Sequence, residues 1–156
     1  MLNETKSTGK FAIASDHAGY KIKEMIKQLL KESGYEFTDF GTGNEDSVDY
    51  PDFAFKVAQN VSSGKYQKGI LICGTGLGMC ITANKVNGIR AVSPYDKFTA
   101  EMSRRHNDAN ILCLGARGLD ESAIKEIVKI WLVTPFDIEN PRHQRRIQKI
   151  SDYEAD

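Results

Sequence analysis

The stretch from Ile70 to Gly78 reads Ile-Leu-Ile-Cys-Gly-Thr-Gly-Leu-Gly, an apolar run that ends on a thiol and passes into glycines at alternate positions. An amphipathic segment from Met79 to Lys85 follows, so the order is strand, tight loop, helix, with Cys73 at the strand's carboxyl end. Gly74, Gly76 and Gly78 admit backbone angles closed to other residues. Successive N–H groups can then turn inward beside the positive end of the next helix. The loop is an anion cradle with a thiol on its rim. Such surroundings favour the thiolate, the form in which cysteine acts as base or nucleophile.

Spacing separates this loop from others that resemble it. A Walker loop requires Lys and then Ser or Thr after its last glycine, whereas Met79 and Cys80 stand here. A dinucleotide fingerprint runs G-x-G-x-x-G after a domain's first strand, but this is G-x-G-x-G on the third. No C-x-x-C pair is present, since the next cysteine is Cys80, inside the helix. The bland alternative is a small buried cysteine beside a tight turn.

Other chemistry-bearing residues have modest signals of their own. Asp16 and His17 follow the first strand, where Asp is commonly a helix cap. His106 and Asn107 end a helix after Arg104 and Arg105, which suits a dipole-satisfying histidine and a terminator. Arg142 and Arg146 lie four apart, on one helix face, with Arg145 near them; the patch suits a phosphate or is simply solvated. Arg117 follows the fifth strand, and Tyr50 precedes Pro51 as a loop anchor. Trp131, at helical spacing with Ile124, Ile127 and Val128, belongs to the core.

These side chains need a scaffold, and 156 residues supply one domain. Residues 1–10 form a polar extension, and 11–156 the single domain. With 21 basic and 21 acidic residues there is no global field for nucleic acid or an anionic membrane, so any anion is recognised locally. No apolar run is long enough to span a bilayer, and the start lacks a signal-peptide core, which implies a cytoplasmic protein. Three unevenly spaced cysteines fit reduced thiols. No His, Asp or Glu cluster has metal-ligand spacing.

Pattern places strands at Phe11–Ala14, Tyr35–Phe40, Ile70–Cys73, Ile89–Ser93 and Asn110–Leu114. Helices are expected over Tyr20–Ser33, Pro51–Ser63, Met79–Lys85, Asp96–Arg105 and Glu121–Leu132, with a shorter basic one over Arg142–Ser151. Alternating strands and helices imply a parallel sheet covered on both faces, with function at the strands' carboxyl ends. Asp16, His17, Cys73, Thr75 and Arg117 should share one crevice there.

Seven motifs in order resemble the ribose-5-phosphate isomerase B family: Ser15-Asp16-His17-Ala18-Gly19, Asp49-Tyr50-Pro51, Cys73-Gly74-Thr75-Gly76-Leu77-Gly78, Ala83-Asn84-Lys85, Gly88-Ile89-Arg90-Ala91, Arg105-His106-Asn107-Asp108 and Arg142-His143-Gln144-Arg145-Arg146. The match covers Phe11 to about Ile150. It implies a Rossmann-like three-layer α/β/α sandwich on a five-stranded parallel sheet. It also implies a homodimer or dimer of dimers with sites at the interface, and no metal or organic cofactor.

The resemblance assigns Cys73 as the base that removes the proton beside the carbonyl, and Gly74, Gly76, Leu77 and Gly78 as the loop that holds the enediolate. Some relatives use a glutamate one residue past the last loop glycine; Met79 stands there and cannot take a proton. Thr75 resembles the residue that moves protons between substrate oxygens. His106 with Asp16 resembles a ring-opening pair, with Asn107 near the reacting oxygens. His17, Arg117, Arg142 and Arg146 resemble phosphate and sugar contacts, some from the partner chain, and Tyr50 lines the pocket. Arg145 matches no role.

The implied reaction is interconversion of ribose 5-phosphate and ribulose 5-phosphate through a cis-enediolate, a step of the pentose phosphate pathway. An alternative is the same chemistry on a six-carbon sugar phosphate, allose or galactose 6-phosphate. A reading from another class is a non-catalytic nucleotide-binding module.

Overall fold

The computed structural model describes residues 9–156, so positions 1–8 of the polar extension lie outside the described residues. In chain order the elements are β1 (Phe11–Ser15), α1 (Tyr20–Glu32), β2 (Phe37–Asp39), α2 (Tyr50–Ser62), β3 (Lys68–Cys73), α3 (Leu77–Ala83), β4 (Ala91–Val92), α4 (Lys97–Arg105), β5 (Ile111–Gly115), α5 (Glu121–Val133) and α6 (Pro141–Ala155). The strands form one parallel sheet in the order β2-β1-β3-β5-β4.

Alternation along the strands sorts the apolar side chains into two layers. Phe11, Ile13, Ile70, Ile72, Leu112 and Leu114 pack with residues of α1, α4 and α5, Trp131 among them. Ala12, Ala14, Leu71, Cys73, Ile111 and Cys113 pack with residues of α2 and α3. The chain therefore leaves β1 toward one layer and β3 toward the other. Because these strands are neighbours, their exits diverge and open a crevice at the carboxyl edge.

Every predicted strand and helix is present, and their ends differ for local reasons. The second strand is shorter than Tyr35–Phe40, because Tyr35 gives its N–H to Leu30 O in closing α1. The fourth shrinks to Ala91–Val92, since the Ile89 amide bonds to Val86 O and the Arg90 amide to Asn110 Oδ1. The glycine loop is tighter than the pattern indicates, so α3 starts at Leu77 rather than Met79. The last helix is not short. At 15 residues it outlasts every other described helix, with Pro141 in its first turn and its far end tied down where Glu154 accepts from the Gly88 amide at 2.9 Å. Among the described residues no helix is long and apolar enough to cross a membrane.

Candidate active site

At the carboxyl edge the sheet gathers Asp16, His17, Cys73, Thr75 and Arg117, as the topology requires. Cys73 ends β3 and is buried, and the Gly76 amide donates to its sulfur at 3.2 Å. The Leu77 amide donates to Thr75 Oγ1 at 3.3 Å, leaving the threonine exposed at the loop's crest. Of the three glycines only Gly76 is left-handed, at φ 77°, a correction to the picture of three unusual backbones. Gly78 is needed for a different reason: a Cβ there would lie 2.6 Å from the ring of Tyr50. The tyrosine from α2 thus packs on the backbone of α3 and walls the loop.

The neighbouring strands brace this loop from both sides. Ala116 and Arg117 donate their amides to Cys73 O and Gly74 O, each at 2.9 Å. The Arg117 guanidinium lies over Gly74, close enough to touch an added Cβ at 3.5 Å, and among the described residues it has no carboxylate partner. Asp16 is buried and does not cap α1, whose N-cap Gly19 has no side-chain cap bond; its Oδ1 instead accepts from the Gly19 amide at 3.1 Å within its own loop. His17 Nδ1 accepts from the Val48 amide at 3.2 Å. That bond leaves Nε2 to carry the proton of the neutral ring.

The second group of predicted residues sits at the other end of the sheet. Helix α4 runs back against the strand direction, so its C-cap, His106, lies by the amino end of β5, whereas Cys73 is level with Gly115 at the carboxyl end. Five strand residues separate the two levels by roughly 13 Å. Within one chain Asp16 and His106 are therefore not a pair. What His106 does meet is α6, where His143 stacks on it and Arg142 and Arg146 project into solvent without a carboxylate partner among the described residues.

Three features of the site were not singled out from sequence. His143 is buried among basic neighbours; burial first, then His106, Arg142 and Arg146, hold its imidazole below the ordinary histidine range against the pull of Asp137. Asp108 has φ 46° and is gripped by Arg104 at 2.8 Å and Arg90 at 3.3 Å, which shapes the turn carrying His106 and Asn107. Lys23 is buried beneath the β2–α2 loop. Only the arginine spacing and the left-handed tolerance of Asp gave any sequence signal for these. A groove of about 700 Å³ is lined by Asn84, Asn87, Lys149, Ile150, Tyr153 and Glu154 and holds none of the predicted residues. Among the described residues no three His, Cys, Asp or Glu side chains are arranged to hold a metal.

A doubly covered parallel sheet with a thiol-bearing glycine loop at its topological switch point defines a Rossmann-like α/β protein. The family described as Ribose/Galactose Isomerase matches residues 11–150, and the chain belongs to it as an isomerase of the ribose-5-phosphate isomerase B type. The structure of Clostridium thermocellum ribose-5-phosphate isomerase B is 51% identical and superposes with a TM-score of 0.90, covering 94% of this chain and 97% of that one. The Escherichia coli K12 protein named ribose-5-phosphate isomerase B is 43% identical, over 91% of this chain and 94% of that protein. A relative from Pectobacterium atrosepticum, named D-erythrulose-4-phosphate isomerase, is 42% identical over 92% of this chain and 93% of its own length.

Proposed function

We propose that this chain interconverts D-ribose 5-phosphate and D-ribulose 5-phosphate through a cis-enediolate, with Cys73 as the base, in a homodimer whose sites each draw on two chains. The observation that carries the reading is the Gly76 amide on the Cys73 sulfur, a donor and a base held together at the rim of a crevice. The proton on the hydroxyl-bearing carbon next to the carbonyl is acidic only if the developing oxyanion is stabilised. The loop from Gly74 to Gly78 supplies amides for that charge. Cys73 takes the C2 proton of the open-chain aldose and returns it to C1, while Thr75 shifts a proton between O1 and O2.

The remaining roles follow the division of the chain into two ends. Asp16, His17, Tyr50 and Arg117 act with Cys73 in one protomer. His106, Asn107, Arg142 and Arg146 come from the partner, where His106 with the first protomer's Asp16 opens the furanose ring and the arginines hold the phosphate. A phosphate remote from the reacting carbons provides binding energy that positions the sugar. The second reading is a six-carbon sugar phosphate, allose or galactose 6-phosphate, and the family description, which also names galactose, favours the latter of these.

A coupled assay of this chain alone on ribose, allose and galactose phosphates decides the substrate. Activity confined to a six-carbon sugar overturns the first reading, and protection from heat by NAD or ATP without isomerase activity overturns both. The ring-opening role has its own measurement. In deuterated water the His106→Asn variant should still exchange a C1 proton of ribulose 5-phosphate, an open-chain ketose, while net isomerisation falls by roughly 10² to 10⁴.

A further inference from the structure

Lys23 is an anomaly of α1: a lysine 1% exposed, whereas Lys21 and Lys31 of that helix face solvent and Lys27 is partly exposed at its surface. Its ammonium donates to both Asp39 oxygens at 2.8 Å and to Thr42 O at 2.5 Å, so all three protons are used inside the protein. Taking an ammonium out of water costs several kcal/mol, and an aliphatic residue would fill the same space at less cost. The charge therefore serves position rather than stability.

What it positions can be followed bond by bond. Asp39 ends β2, and its Oδ1 also accepts from the Gly41 amide at 2.9 Å. Gly41 O accepts from the Ser15 amide at 2.8 Å and the Thr42 amide donates to Ser15 O at 2.9 Å, latching the β2–α2 loop onto the end of β1. Ser15 is followed by Asp16 and His17. The same loop continues to Val48, whose amide holds His17 Nδ1, and to Tyr50, which packs on Gly78. Burial works to raise the Asp39 carboxyl, yet the bonds from Lys23, Lys27 and Gly41 hold it below the usual range, so the carboxylate is charged and gripping.

We propose that Lys23 is a positioning residue of the isomerase site: its buried ammonium pins the β2–α2 loop to β1 and, through Val48, keeps His17 as the Nε2–H tautomer facing the phosphate and hydroxyl oxygens of the sugar. The assignment rests on His17 and Tyr50 as substrate contacts. Lys23 itself has no free donor for substrate and acts only through the loop.

The test uses the full chain with labelled histidine and three variants. Lys23→Met keeps the aliphatic stem and removes the three bonds while Lys27 still holds Asp39 at 2.9 Å, Lys23→Met/Asp39→Asn also removes the carboxylate, and Asp39→Asn loosens the grip while keeping its shape. With three histidines in the chain, ring ¹⁵N shifts resolve His17. The wild type should show an unprotonated Nδ1 and protonated Nε2, and the variants a mixture of tautomers. KM for ribose 5-phosphate and the inhibition constant of inorganic phosphate should each rise about tenfold, with kcat falling less than about threefold. Should Lys23→Met not fold, Asp39→Asn must show the same changes at smaller size. A loss of thermal stability or active fraction, with KM and the His17 tautomer unmoved, makes Lys23 merely structural and overturns the proposal. An inactive wild type overturns the functional reading instead, and the ¹⁵N shifts still judge the clamp.

Discussion

The imidazole of His143 stacks on that of His106, with ring centroids 4.2 Å apart and planes 17° from parallel. His106 ends a helix and is half-buried, so this contact from α6 is what limits its rotation. Because His143 is held below the ordinary histidine pKa by burial first and by cationic neighbours next, the unfolded chain binds its proton before the folded one does. Its stabilising contribution is therefore complete above about 6.5 and is lost as pH falls through the lower folded value. The His143→Phe variant, which keeps a flat ring and cannot titrate, should unfold at a lower pH than wild type in an acid titration followed by circular dichroism. His143→Ala should leave His106 loose and cost roughly 10- to 100-fold in kcat. Wild-type kcat in the alanine variant would show that the stack does not position His106.

If each site draws Cys73 from one chain and His106 from another, two dead variants can repair one another. Cys73→Ala and His106→Asn, unfolded together and refolded as a mixture, should recover about a quarter of wild-type activity, since half the dimers are mixed and each holds one intact site. No recovery, with mixed dimers demonstrated by mass, would place both residues in the same chain's site.

Cys73→Ala should abolish proton transfer and leave phosphate binding nearly intact, because the thiol is assigned to chemistry. Iodoacetate should inactivate the enzyme, with protection by substrate. Cys80 is the competing thiol, lowered by a hydrogen bond from Cys113 against the effect of burial, so the measurement belongs in a Cys80→Ala background. Retention of more than about a tenth of kcat in Cys73→Ala, a loss under ~1.4 kcal/mol, rules out the base assignment.

Arg142→Ala and Arg146→Ala should mainly raise KM and weaken inhibition by inorganic phosphate, by roughly the 1.5 to 3 kcal/mol of a charge-assisted hydrogen bond. Unchanged phosphate inhibition would return both to a solvated helix face.

Lys68, at the start of β3, lies 5.4 Å over the Trp131 ring, and burial, with Arg104 adding and Asp108 opposing, lowers its pKa to about 8. Between that value and the unfolded 10.5 the unfolded chain holds more protons, so stability rises with pH across this window, and below it the protein bears the cost of a buried charge. Lys68→Met should stabilise at pH 7 by on the order of 1 to 3 kcal/mol, the advantage shrinking toward pH 10. Thermal melts at both pH values measure it; an equal effect at each would mean the charge is not the cause.

The thiol loop was legible in the chain because its signals are local: an apolar run, a cysteine at its end, and glycines that only a tight turn before a helix explains. The same holds for the alternation of strands and helices, from which the parallel sheet and its carboxyl-edge crevice follow. Spacing could not divide the candidate residues between the two ends of the sheet. That division arises because α4 must run back against the strands to feed β5, which carries His106 away from Cys73. Nor did pattern mark Lys23, His143 or Asp108. A lysine on an amphipathic helix reads as solvated until a loop folds over it, and two histidines 37 positions apart meet only when α6 packs against the end of α4. Even the need for Gly78 is tertiary: its own φ is ordinary, and the absent side chain makes room for the ring of Tyr50 from another helix. Chain-local geometry thus determined what chemistry is present, and packing between distant segments decided which residues can perform it together.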